Sequence, residues 1–159
     1  MNSQARTSPA FAGAIFLGAF LLFQVQPIVA KAILPWFGGA PAVWTTCMLF
    51  FQSLLLAGYA YAHGATVSLR PRIQGILHLG LLAAALLSLP ISPERPGAPA
   101  GSGPPLWAIL ALLARSVAAP YFLLAASSPL LQAWSAAGRE GSPYRLYALS
   151  NAGSMLALI

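Results

Sequence analysis

The chain has 159 residues, of which 58% are hydrophobic and only 6% are charged, and its mean hydropathy is +0.76. A soluble domain has about 25% charged residues, so this composition excludes an ordinary soluble protein and predicts a membrane protein. The net charge of +6 reflects scarce acids and not abundant bases. The bases are scattered singly between apolar runs, which excludes a nucleic-acid interface and favours membrane lipids as partners.

Five hydrophobic segments follow one another, at residues 10–34, 43–62, 73–89, 106–126 and 144–159. A spanning helix needs about 20 apolar residues, so the first four are long enough to cross a bilayer. The fifth reaches Ile159 with its apolar pattern incomplete, so we expect further transmembrane helices after it. The predicted fold is an all-α, polytopic transmembrane helix bundle with four full spans and a truncated fifth.

The basic residues predict the orientation of this bundle. With a cytoplasmic N-terminal tail at residues 1–9, five Arg residues lie inside and two bases lie outside, which the positive-inside rule favours. The Pro/Gly-rich loop at residues 90–105 is then an extended external linker. A cleaved signal peptide is disfavoured, because the first apolar run exceeds the usual length of roughly 7 to 15 residues. We expect a multi-pass protein of the cell inner (plasma) membrane.

Polar side chains lie inside the first segment. Gln24, Pro27 and Lys31 are three and four residues apart, so they share one helix face. In one interpretation Gln24 bonds a neighbouring helix and Lys31 extends to the headgroups; in the other the stripe faces a ligand. Small residues suited to close helix contact form a ridge further back, at Ala10, Ala14 and Gly18.

The second and third segments contain polar residues as well. In the second, a stripe is formed by Thr45, Gln52, Tyr59 and His63. Interhelical hydrogen bonding is the default interpretation of such a stripe, and a headgroup contact is favoured over a proton relay for His63. The third segment places Gln74 and His78 four residues apart.

Arg115 is the strongest single signal, because an arginine near the middle of a span costs about 2.5 to 3.5 kcal/mol. Two interpretations remain open. The first is a hydrogen-bond network with freed carbonyls and with Gln24 or Asn151. The second is an anionic partner, either a ligand or a carboxylate supplied by further sequence. Pro120 releases the carbonyl of Ser116 and offers part of such a network. After it, a helix break is expected at residues 127–129, where Ser-Ser-Pro occurs.

Several kinds of chemistry are not indicated. The sequence has no intramembrane carboxylate pair, no His/Cys cluster with metal spacing and no recognisable Ser-His-Asp set. The lone Cys47 allows neither a disulfide framework nor a cysteine zinc site. We therefore expect no catalytic residue, no metal and no cofactor in this chain.

The stretch at residues 20–63 (FLLFQVQPIVAKAILPWFGGAPAVWTTCMLFFQSLLLAGYAYAH) resembles the membrane domain of bacterial fused transporter-like (major facilitator-like)/spermidine synthase-like proteins. ASSPLLQAW at 126–134 and SPYRLYALSNAGSMLAL at 142–158 are similar too. The resemblance implies a membrane region that precedes a soluble aminopropyltransferase-like domain. The Gly-rich loop and acidic residues of that domain are not present here, so the resemblance transfers no catalytic residue and leaves enzyme activity uncertain.

Three functions follow from these observations, one of which is a purely structural membrane subunit. The first is an integral membrane domain of a spermidine synthase-like fusion, which anchors or serves a soluble catalytic domain. The alternative is a small-molecule transporter or half-transporter with a polar site centred on Arg115. Polyamine transport by this chain alone is disfavoured, because a polycation requires carboxylates within the bilayer. The candidate substrate-binding residues are Arg115, Gln24, Lys31, Gln52 and Asn151.

Overall fold

The computed structural model describes residues 9–87, 89–91, 93, 105–137 and 143–159, and regular structure in these ranges is α-helical throughout. The helices are α1 (Pro9–Phe37), α2 (Pro41–Ser68), α3 (Pro71–Leu86), α4 (Pro105–Ser116), α5 (Ala118–Ala137) and α6 (Pro143–Leu156). The predicted all-α class is confirmed for these residues. Most of the predicted N-terminal tail (1–9) and of the loop at 90–105 lies outside them, as do Glu94 and Glu140.

The prediction of four full spans is wrong. Within the described residues, α1 and α2 are long and apolar enough to cross a membrane, and a third span exists only if α4 and α5 together count as one. The predicted third segment forms α3, which has 16 residues and is shorter than a bilayer requires. The predicted fifth segment forms α6, with 14 residues. Apolar sequence alone overestimated the spans because it does not reveal where a helix ends.

The predicted fourth segment, 106–126, is broken at Val117, where α4 and α5 meet at 66°. Backbone hydrogen bonds continue on both sides, from Val117 N to Leu113 O at 3.0 Å and from Tyr121 N to Val117 O at 3.0 Å. Pro120 lies in the first turn of α5, where it has no N–H to donate to Ser116 and its ring would clash with that carbonyl in a straight helix. A proline three residues after the break therefore accounts for the bend.

The break expected at residues 127–129 is absent, because α5 continues through Pro129 to Ala137. Proline is tolerated in transmembrane helices when neighbouring helices hold the chain in place. That condition is met here, since α5 packs against each of the other described helices and most extensively against α2 and α1. The helix is therefore the centre of the described bundle.

The turn between α1 and α2 forms where Pro, Trp and Gly interrupt the apolar sequence. Gly38 has a φ of +81°, and its N–H donates to the Leu34 carbonyl at 2.8 Å. A left-handed residue after the last helical turn favours glycine, which has no Cβ to clash. Pro41 then begins α2, a position that suits its fixed φ and missing N–H. The two longest helices are thus joined by only three residues, 38–40.

Glycines mark the closest helix contacts. A Cβ placed on Gly58 of α2 would lie 2.8 Å from the Ala125 Cβ of α5, and one on Gly153 of α6 would lie 2.5 Å from the Phe16 carbonyl oxygen of α1. The ridge predicted on α1 is correct only in part: Gly18 is buried against α5, whereas Ala10 and Ala14 are exposed. The contact face of α1 is instead rotated toward Ile15, Ala19 and Leu22.

Helix α3 has an inverted distribution of side chains. Its buried residues are Gln74 and His78, which are 3% and 5% exposed. Its large apolar side chains point outward, namely Ile73, Ile76, Leu77, Leu79, Leu81 and Leu86. In water this arrangement would expose apolar area and bury polar groups, both unfavourable. In lipid the apolar face costs nothing and the polar residues gain partners inside the bundle.

Candidate functional site

The five residues predicted from the sequence to bind a substrate lie on four helices. Gln24 on α1 is half-buried, whereas the other four are exposed: Lys31 on α1, Gln52 on α2, Arg115 on α4 and Asn151 on α6. Within the described residues no hydrogen bond joins any two of them. A shared site formed by these five residues therefore stays a prediction.

Arg115 lies in the last turn of α4, two residues before the bend at Val117. A cation at this end of a helix interacts favourably with the free carbonyls of the last turn. The neighbouring Ser116 hydroxyl donates to the Leu112 carbonyl oxygen at 2.8 Å. Neither Gln24 nor Asn151 bonds Arg115 in the described part of the chain, so the network expected from the sequence does not form there with these partners.

The polar stripe predicted on α2 points away from the bundle. Thr45, Gln52, Tyr59 and His63 are all exposed, and the Thr45 hydroxyl donates to the Pro41 carbonyl of its own helix at 3.0 Å. The opposite face, which includes Cys47 and Phe51, is buried instead. The stripe therefore does not supply interhelical bonds among the described helices.

A hydrogen bond that the sequence did not indicate connects α1 to α5. Gln26 Nε2 donates to the Tyr121 hydroxyl oxygen at 2.7 Å. Tyr121 is 1% exposed, and its ring centroid lies 4.9 Å from that of Phe51. Gln24 and Gln26 are two residues apart, so they point to different faces of α1, and the sequence offered no sign of which face was buried. The sequence indicated only that an amide side chain in an apolar run requires a hydrogen-bond partner.

A polar cluster lies where α3 packs against α5. Trp134 Nε1 donates to Gln74 Oε1 at 2.6 Å, and Gln74 Nε2 donates to the Leu69 carbonyl oxygen at 2.8 Å. Both ends of the Gln74 amide are therefore bonded, which offsets the cost of burying it. These contacts fix the start of α3 against the last turns of α5.

One turn further along α3, His78 Nε2 lies 3.0 Å from Ser127 Oγ. The Ser127 hydroxyl donates its single hydrogen to the Leu123 carbonyl oxygen at 2.7 Å, so toward His78 it can only accept. Nε2 therefore bears the imidazole proton in the neutral ring, and Nδ1 presents a lone pair.

Two buried polar atoms of this cluster have no hydrogen-bond partner among the described residues: His78 Nδ1 and the Tyr61 hydroxyl oxygen. The rings of these residues are stacked, with centroids 6.0 Å apart and planes inclined by 26°. A buried polar group without a partner costs about 1 to 3 kcal/mol, so such atoms call for a ligand or water. The cluster thus offers one free acceptor and one free donor.

The sequence indicated part of this cluster, because it placed Gln74 and His78 on one face of the third segment. It did not identify Tyr61, Ser127 or Trp134 as their partners. Spacing within one helix predicts which residues share a face, but partners on other helices depend on how the helices are rotated in the bundle. Within the described ranges, no group of three His, Cys, Asp or Glu residues could hold a metal ion.

Comparisons of the chain with protein-family models, with curated proteins and with solved structures found no match.

Proposed function

We propose that this chain is an integral membrane domain that anchors or serves a soluble aminopropyltransferase-like domain, as in spermidine synthase-like fusion proteins. The proposal has two parts, which rest on different grounds. The membrane part is supported by one observation above all, the inverted side chains of α3, together with the length of α1 and α2. The fusion part is supported by the sequence resemblance at residues 20–63, 126–134 and 142–158.

The proposal includes further transmembrane helices that pack against α2. Polar residues on the exposed face of α2 support this part of the proposal. Gln52, Tyr59 and His63 lie on the exposed face of α2. An amide in hydrocarbon is expensive, and in membrane proteins such side chains face protein. Additional helices that cover this face would give Gln52 a partner and complete the bundle.

The proposed location is the bacterial inner membrane with the N-terminus in the cytoplasm. The test is cysteine labelling with a membrane-impermeant maleimide on intact cells, using Ser68→Cys and Ser102→Cys in a Cys47→Ala background. Ser68 ends α2 and is exposed, and position 102 belongs to the predicted external loop, outside the described residues. We expect labelling at 102 only. Labelling at position 68 from outside would show that the proposed orientation is wrong.

The membrane and fusion parts are tested separately. Resistance of the chain to extraction by alkaline carbonate tests the membrane part, and release into the supernatant would overturn it. The fusion part is tested by reading the coding sequence after codon 159 and by assaying washed membranes for aminopropyl transfer to putrescine. A following Gly-rich loop with paired acids and membrane-bound activity are expected. An immediate stop codon would refute the fusion.

The alternative function, a transporter or half-transporter, is favoured by the bend at Val117. Broken helices at membrane depth often form substrate sites in transporters, and here Arg115 lies in the turn beside the break. A small anion, organic or inorganic, suits this guanidinium better than a polyamine does. Uptake of acetate, succinate and phosphate into proteoliposomes tests this function, with Arg115→Leu as the comparison. Uptake no faster than in protein-free liposomes would exclude these substrates.

A further inference from the structure

Helix α4 distributes its side chains in the opposite way to α3. Its apolar residues Ile109 and Leu113 are buried, 1% and 0% exposed. Beyond the first turn its exposed residues are three alanines and one cation, namely Ala108, Ala111, Ala114 and Arg115. A helix bordered by hydrocarbon turns large apolar side chains outward, as α3 does. The pattern of α4 is typical of a helix whose outer face borders a polar medium.

The position of α4 in the bundle agrees with such an outer face. Ile109 and Leu113 belong to the core cluster that includes Val43 and Cys47, so α4 packs beside the first turns of α2. Its 12 residues form a helix about 18 Å long, and with the 66° bend it advances only about 7 Å along the axis of α5. Helix α4 therefore lies at a steep angle to the spans, near the end of the bundle at which α1 joins α2.

Helix α5 reaches across the hydrocarbon without the help of α4. It has 20 residues and is about 30 Å long, which is the thickness of the hydrocarbon core. By composition α5 alone falls short of a lipid-facing span. In the described bundle, however, no residue between Pro120 and Ser135 is exposed, so α5 faces protein and does not need that composition. Helix α4 is thus left to lie at the membrane surface.

Two side chains of α4 indicate what lies against its outer face. Trp107, at its start, is 69% exposed, and Arg115, in its last turn, is exposed as well. Tryptophan is enriched where a bilayer meets water, and arginine binds phosphate through two parallel hydrogen bonds. The described residues include neither Asp nor Glu, so no acidic side chain among them pairs with Arg115. An anionic lipid headgroup supplies the opposite charge.

We propose that α4 is an interfacial helix and that Arg115 binds the phosphate of an anionic phospholipid at the membrane surface. Trp107 anchors the other end of α4 at the level of the headgroups. This is the outer surface in the proposed orientation, because the turn between α1 and α2 then lies outside. The guanidinium stays among the headgroups, where a charge is tolerated, and does not enter the middle of a span. The proposal rests on the membrane part of the proposed function and is independent of the fusion part.

The first experiment measures the depth of α4 in the bilayer. Spin labels are attached singly to Ala108→Cys, Ala111→Cys and Ala114→Cys in a Cys47→Ala background, with the full chain in nanodiscs of phosphatidylcholine and phosphatidylglycerol. Collisions with oxygen and with a water-soluble nickel chelate give the depth of each label. Leu79→Cys, at a position of α3 that is 68% exposed, is the reference for hydrocarbon.

We expect all three labels on α4 near the phosphates and the label on α3 deeper. Positions 108 and 114 are about 9 Å apart along the helix, so at an inclination of 66° their depths should differ by only about 4 Å. A difference of about 9 Å would align α4 with the spans. That result, or a label at 114 as deep as the one at 79, would overturn the proposal and favour the transport site at membrane depth.

The second experiment tests the lipid contact itself. A fluorophore at position 111 is quenched by phosphatidylglycerol or by phosphatidylcholine, each with a nitroxide near its glycerol, and the ratio of the two association constants measures the preference for the anionic lipid. One basic residue at an anionic surface contributes about 1 kcal/mol, so Arg115→Leu should lower this preference about fivefold. Arg115→Lys keeps the charge and should retain most of it.

Arg72→Leu is the matched control, because Arg72 is an exposed arginine at the start of α3, and it should change nothing at position 111. Equal quenching by the two lipids in the parent chain would overturn the proposal. So would a preference that Arg115→Leu leaves unchanged. Failure of membrane insertion would appear separately, in the carbonate extraction.

Discussion

Replacement of Gly58 by alanine tests the packing of α2 against the central helix α5. The new methyl carbon would lie 2.8 Å from the Ala125 Cβ, 3.0 Å from the Phe122 carbonyl oxygen and 3.1 Å from the Ala126 nitrogen. Two of these atoms belong to the backbone of α5, so the clash is relieved only if one helix moves. Overpacking of this kind costs about 1 to 3 kcal/mol.

Gly64→Ala is the matched control on the same helix, because a Cβ at Gly64 meets no atom of the described residues within 4 Å. Alanine is favoured over glycine inside a helix by about 0.8 to 1.0 kcal/mol, and both variants gain this amount. The control should therefore be more stable than the parent chain. Gly58→Ala should be less stable than the control by the whole overpacking cost, about 1 to 3 kcal/mol.

The single cysteine provides the assay. Cys47 is 1% exposed in the core between the helices, so a fluorogenic maleimide should react with it only on unfolding. The midpoint temperature of the fluorescence rise, measured in detergent, then compares the variants. We expect it to be higher for Gly64→Ala than for the parent chain, and well below the Gly64→Ala value for Gly58→Ala. If Gly58→Ala were as stable as Gly64→Ala, the close contact of α2 with α5 would be wrong.

Three further predictions use the same preparation. Gln26→Leu leaves the buried hydroxyl of Tyr121 without its donor and should lower the free energy of unfolding by about 0.6 to 1.7 kcal/mol. Gln24→Leu, which breaks no hydrogen bond among the described residues, should not, and equal effects in the maleimide assay would argue against the Gln26 contact. Gln74→Leu removes the acceptor of the Trp134 indole N–H, so it should lower the free energy of unfolding by a similar amount and shift the fluorescence of Trp134. An unchanged emission spectrum would count against the hydrogen bond between Trp134 and Gln74. Arg115→Leu should leave carbonate-resistant insertion intact, because it removes a charge that costs about 2.5 to 3.5 kcal/mol in a span. The same variant should reduce the activity of the intact protein, and full activity would assign the residue a structural role.

The sequence predicted the helical class and the two longest helices because both follow from local properties. Continuous apolar runs around residues 10–34 and 43–62 require every backbone group to be bonded within the helix, and α1 and α2 extend a few residues beyond these limits. The turn between them was readable from Gly38 and Pro41, whose backbone preferences act without help from neighbours.

Proline was the least predictable local signal. Pro120 lies three residues after the 66° bend at Val117, whereas Pro129 lies inside a continuous α5, although both interrupt the backbone hydrogen bonds in the same way. The difference goes with position in the helix, since Pro120 lies in the first turn of α5 beside its junction with α4, whereas Pro129 lies in the interior of α5, the helix that packs against all the other described helices. Counting four spans from apolar length alone failed because α3 has only 16 residues and because the fourth segment is bent at Val117.

By itself the sequence predicted lipid as the solvent, because so few charges over so many apolar residues favour a bilayer, and from that solvent it predicted helices. The tertiary structure decided which polar residues are used: Gln26, Gln74 and His78 face protein, whereas Gln52, Lys31 and Arg115 face outward. In lipid both faces of a helix are apolar, so the hydrophobic pattern that distinguishes inside from outside in water is lost. Helix rotation is then set by close contacts at Gly58 and Gly153 and by hydrogen bonds between distant residues, which no local pattern encodes.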